Sequence, residues 1–206
     1  VNQNALIKSG GASTAEICSR FAVRKELRCF LRDGMQPGEY AETLLGNKQY
    51  VAGIDFIAHA LPLREAVWWG CLCVQHACGR SLSPAEKNAC TAAVQWVLQP
   101  IEQNRVAAES LVEASEPGSA SGRLAMAVNQ SGENCSSHHA APPPVAFASA
   151  KAVAAAVKLA STKVDPVKSV DTQRLFLELG IGVAEGRFVW PEIDQRSGPK
   201  FCMREV

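Results

Sequence analysis

The chain has 206 residues, with 21 Lys and Arg against 20 Asp and Glu and a formal net charge of +1. That length can bury a core without metals or disulfides, and the charge balance offers no field to draw the chain toward nucleic acid or anionic lipid, which leaves another protein or a small molecule as the expected partner. The most apolar run, residues 66–74, gives way to Gln75 and His76 and falls short of the roughly 20 apolar residues that cross a bilayer, so no membrane insertion is expected.

Val1, Asn2, Gln3 and Asn4 carry no charged segment followed by an apolar stretch, so no secretory signal is read and a cytoplasmic location is expected. Ser13-Thr-Ala-Glu16 is a capping box, in which the hydroxyl accepts from the backbone three residues on and the carboxylate reaches back. Val23, Leu27, Phe30 and Leu31 follow at helical spacing, and Gly34 offers a left-handed stop. A continuous first helix would set Arg20, Arg24, Arg28 and Arg32 in a line beside that apolar face. Such a line reads either as a solvated face, with Glu16, Glu26 and Asp33 nearby, or as a stripe for an acidic partner.

Pro37 fits a first helical turn ahead of Tyr40, Ala41, Leu44 and Leu45, and Gly46 is expected to close that helix. Residues 50–61 place Ile54, Ile57, Ala58 and Leu61 at helical spacing, with a boundary at Pro62 and a new helix from there to about residue 77. Ser83-Pro84-Ala85-Glu86 joins an N-cap hydroxyl to a first-turn proline and carboxylate. The small residues Ala85, Ala89, Ala92 and Ala93 on that helix would let a neighbour approach closely. Pro100 separates it from a helix containing Ile101, Ala108, Leu111 and Val112, whose exposed side would pair Arg105 with Glu109.

Glu116-Pro-Gly118 breaks the chain before a short helix over residues 124–128. Residues 130–147 then form a Ser-, His- and Pro-rich internal loop. Val153, Val157 and Ala160 restore helical spacing, and Asp165-Pro166 starts a last helix with Leu175, Phe176 and Leu179. Residues 188–190 are the one brief strand candidate, and 191–206 read as a loosely ordered tail. The fold class is therefore all-α: a single domain over residues 1–190 of about eight or nine helices, arranged as an orthogonal bundle or a short irregular array.

Cys71, Cys73, His76 and Cys78 are the densest set of metal-capable residues, but Cys73 lies about 200° round a helix from Cys71, so the segment cannot close a site and the thiols read as small core hydrophobes. Cys135, His138 and His139 belong to the internal loop. Gly180-Ile-Gly182-Val-Ala-Glu-Gly186 is spaced wrongly for a dinucleotide loop and follows a helical pattern, so it reads as helix termination. No metal or cofactor is expected.

Arg64-Glu65-Ala-Val-Trp68-Trp69 sets two tryptophans about 100° apart on one helix. One should face the core, and the other should either cover a neighbouring helix or anchor a partner, since exposed aromatics and arginines dominate many interfaces. Arg64, Glu65, Trp68 and Trp69, with Arg24 and Arg28, are therefore the candidate partner-binding residues.

Residues 61–69 (Leu-Pro-Leu-Arg-Glu-Ala-Val-Trp-Trp), the helix pair over 96–114, Leu124-Ala-Met-Ala-Val128, the Pro-rich loop, residues 150–160 and Phe176-Leu-Glu-Leu-Gly180 together resemble an uncharacterised bacterial helical domain family found in gene neighbourhoods of contractile, type VI-like secretion machinery. The resemblance spans about residues 61–186 and implies an accessory or adaptor role, with no catalytic residue to carry over. The expected function is non-enzymatic protein binding. The alternative is an enzyme or redox protein using Cys71 or Cys78 with His76 or His59.

Overall fold

The computed structural model describes residues 11–23, 25–79, 81–116, 118–132, 147–163 and 166–191. Among them the backbone forms nine α-helices and no strand: α1 (Thr14–Ser19), α2 (Pro37–Gly46), α3 (Tyr50–Ala60), α4 (Leu63–Cys78), α5 (Pro84–Leu98), α6 (Glu102–Ala114), α7 (Ala120–Asn129), α8 (Ala148–Lys163) and α9 (Ser169–Ala184). Two 3₁₀ helices, Lys25–Phe30 and Pro166–Lys168, join them. The 188–190 segment is not a strand. Phe188 instead lies against α9 at Gly182, and Trp190 lies over Arg64.

Capping chemistry sets the helix starts. Ser13 and Ser83 each accept from the backbone N–H three residues on, while Glu16 and Glu86 reach back to the cap nitrogens. Gln36 and Glu39 close the same kind of box ahead of Pro37. Two ends are closed by Schellman pairs. At α9, Gly186 is left-handed (φ 76°), with Gly186 N–H on Val183 O and Arg187 N–H on Gly182 O. At α2 the left-handed residue is Lys48 (φ 58°) rather than Gly46, which stays helical.

The first helix is shorter than its apolar spacing predicts. The Ser19 hydroxyl takes the Glu16 carbonyl, and Arg20 N–H turns to Ile17 O, tightening the last turn of α1. The chain then leaves the helix so that Arg20 donates to the His59 carbonyl (2.8 Å) and Phe21 stacks on the His59 ring (4.9 Å between centroids). These long-range contacts outweigh local helix propensity. Arg20, Arg28 and Arg32 consequently do not share one helix, and Arg24 lies outside the described residues.

One apolar core runs from Ile17 to Ala184, with α4 at its centre, packed against α3, α5, α7, α8 and α9. Helices α3 and α9 run parallel, since Gly53 meets Leu177 and Ile57 meets Gly180. Helix α8 runs antiparallel to α3, with Lys158 on Asp55 at one end and Phe147 beside His59 at the other. Gly70 lets Leu124 of α7 and Val153 of α8 close on α4. The result is a single all-α domain.

Candidate functional site

Arg64, on the first turn of α4, donates through Nε to Val97 O (2.6 Å) and through Nη2 to Leu98 O (3.1 Å), while its guanidinium lies 4.3 Å from the Trp190 ring centre. A cation on the last carbonyls of a helix satisfies orphan acceptors and complements the dipole, so Arg64 caps α5. Arg105 does the same for α7: it faces inward, not toward Glu109, and binds Asn129 O and Oδ1 (3.0 and 2.7 Å) and Glu102. Arg20 on the His59 carbonyl treats α3 likewise.

Trp68 and Trp69 are both buried, at 4% and 0% exposure, so the second ring covers the interior instead of standing out as an anchor. Trp69 Nε1–H donates to Phe176 O of α9 at 2.9 Å, and α9 comes that close because Gly180 has no side chain against the indole. Glu65 is half-buried beside them. The Arg64–Trp69 segment thus forms a joint between α4, α5 and α9.

Cys71, Cys73 and Cys78 are buried. The thiol pairing with Cys90 and loss of hydration hold Cys71 well above the usual thiol range, and burial raises Cys73 and Cys78 too. The structure does not join them to the two histidines: His76 is exposed with its ring edge-on to Phe176, and His59 sits against Phe21. Among the described residues no three His, Cys, Asp or Glu side chains converge as a metal site. Cys135, His138 and His139 lie outside those residues. No helix among the described residues is long and apolar enough to cross a membrane.

A cleft of about 450 Å³ opens between α1, the following 3₁₀ helix and α2, lined by Cys18, Phe21, Val23, Arg28, Leu31 and Tyr40 together with small residues. Three contacts hold its frame: Thr14 Oγ1 on Met35 O, Arg20 on His59 O and Tyr40 Oη on Leu27 O. Loss of hydration pushes Tyr40 up to about 12 and raises Cys18 beside it, so both stay neutral. Arg28, exposed on the wall, is then the one charged residue of the lining among the described residues. Of the candidate partner-binding residues, Arg28 alone among the described ones lies here. Cys18, Phe21 and Tyr40 carry no motif, and only the break after α1 brings them together.

Nine helices among the described residues, about one apolar core and with an open cleft where the N-terminal segment meets α2, define a single-domain all-α protein. The chain belongs to DUF6931, a family of unknown function, which it matches over residues 40–184. No curated protein and no solved structure matches it. The family match begins at Tyr40, on one wall of the cleft, and the opposite wall comes from the segment ahead of it.

Proposed function

We propose that the protein is a non-enzymatic adaptor that seats a segment of another protein in the cleft between α1 and α2. The observation that supports this reading is the composition of the cleft: an apolar wall with one exposed cation among the described residues, Arg28, on a frame of buried and part-buried contacts. Arginines 20, 64 and 105 are engaged on helix ends, whereas Arg28 makes no ion pair with the described residues and is available to a partner. We further propose that this partner belongs to a bacterial type VI-like secretion apparatus. That assignment rests on the resemblance of residues 61–186, and the adaptor reading stands without it.

Affinity capture from a lysate of the source cells, with wild-type protein and an Ala22→Trp variant side by side, tests the adaptor reading. Ala22 is exposed on the cleft wall, so the indole fills the space without entering the core. Wild type should retain at least one protein that Ala22→Trp loses. The same proteins captured by both would overturn the proposal.

A further inference from the structure

We infer that the cleft recognises an acidic segment carrying an aliphatic side chain, the carboxylate meeting Arg28 and the aliphatic group resting on Phe21, Val23 and Leu31. This rests on the adaptor reading and adds the chemistry of the partner.

Charge on this wall favours an anionic group. Among the described residues the lining holds one cation, Arg28, and no carboxylate. Lys25 stands three residues before Arg28 on the same 3₁₀ helix, where positions i and i+3 eclipse, so both cations project from one side, and both are exposed. Glu16, the nearest carboxylate on α1, is turned back into its own capping box on Ser13. An incoming carboxylate therefore meets two exposed cations, Lys25 and Arg28, and a guanidinium binds it in a bidentate fork.

Shape and polarity favour an aliphatic group beside it. Phe21, Val23 and Leu31 are each half-buried and so leave apolar surface open to the cleft. The Phe21 ring is fixed by its stack on His59, which makes that wall rigid before anything binds. The Tyr40 hydroxyl is spent on Leu27 O, and Cys18 lies beside it, so the floor offers little polar competition. A volume of about 450 Å³ suits one or two side chains with their backbone, not an extended helix.

Cys18 supplies a reporter, because a seated peptide would cover its thiol. The experiment titrates the full chain with two blocked synthetic hexapeptides, one alternating Glu and Leu and one alternating Lys and Leu. It follows binding by fluorescence anisotropy and alkylation of Cys18 by N-ethylmaleimide, mapped by mass spectrometry. The Glu/Leu peptide should bind, slow Cys18 alkylation and weaken with added salt. Arg28→Glu should lose roughly tenfold or more in affinity for it, the effect of removing a charge-assisted hydrogen bond, and should gain affinity for the Lys/Leu peptide. Arg28 is exposed, so the variant should keep the wild-type melting curve, and Arg28→Lys should retain part of the affinity.

Equal binding of both peptides by wild type, or an unchanged Cys18 rate at saturation, would overturn the inference. Its failure separates from that of the adaptor reading. A captured partner lost on Ala22→Trp but indifferent to Arg28→Glu sinks the acidic chemistry alone. Peptide binding with no partner captured sinks the adaptor reading alone.

Discussion

His59 is buried in α3, where its Nδ1–H donates to Asp55 O at 2.7 Å and its Nε2 has no hydrogen-bond partner. Phe21 covers one face of the ring, Phe147 meets its edge, and Arg20, Lys151 and Asp55 are the charges around it. Loss of hydration, reinforced by the two cations, holds the imidazole below its usual 6.5, and the Asp55 carboxylate and the Nδ1 hydrogen bond only partly oppose this. The native state therefore binds fewer protons than the unfolded chain just below pH 6.5, so stability rises with pH there and falls as pH drops through that window. We predict that the urea midpoint declines between pH 7 and pH 5 and that His59→Phe flattens the decline; an unchanged slope in the variant would show that other groups carry it. Glu86, lowered by its bond to Lys163, adds a separate loss only at more acidic pH, as its carboxylate is protonated. The sequence singled out His59 only as a partner for a thiol. Its actual neighbours depend on a bend that no local pattern announces.

The helices themselves were largely legible, because their starts are written in short-range chemistry. Ser13 with Glu16, Ser83 with Glu86 and Pro37 each open a helix where the cap predicts one, and Pro62, Pro100 and Gly118 fall at breaks. The ends were less legible, since α1 stops for contacts with α3 and α2 closes on Lys48. Gly180 shows the same limit. Termination accounts for Gly186, but Gly180 lies inside α9, where an added Cβ would sit 2.8 Å from Ile57 and 2.9 Å from the Trp69 ring. The indole cannot retreat without giving up its bond to Phe176 O. Replacing a helical glycine gains about 0.5–1 kcal/mol in backbone entropy, whereas overpacking costs about 1–3 kcal/mol. Gly180→Val should therefore lower stability by about 1–2 kcal/mol and the melting temperature by about 2–8 °C, measurable by thermal denaturation. A melting temperature at or above wild type would mean that α9 shifts freely away from α4.

The family match starts at Tyr40, yet the cleft and the cover over His59 need the segment ahead of it. That division explains why the site was the least legible feature: one wall lies in the matched domain and the other in residues whose apolar spacing suggested a straight helix. It also makes the two parts separable. The core around α4 draws its buried apolar side chains mainly from α2 to α9; among the described earlier residues Ile17 and Leu27 are buried in it, and half-buried ones such as Phe21, Phe30 and Leu31 pack against it. Burying an aliphatic side chain contributes about 1.5–3 kcal/mol, part of which is offset by the entropy of ordering the segment. A chain beginning at Gln36 should thus remain helical and melt cooperatively, about 3 kcal/mol less stable and about 6–12 °C lower in melting temperature. Circular dichroism and a thermal melt check this, and a coil spectrum would make the N-terminal segment integral to the core. The shortened chain also uncovers the His59 ring, since Phe21 and Arg20 leave with the segment. Partly rehydrated and freed of the Arg20 charge, that imidazole should titrate closer to its unfolded range, so the loss of stability between pH 7 and pH 5 should shrink along with the cleft.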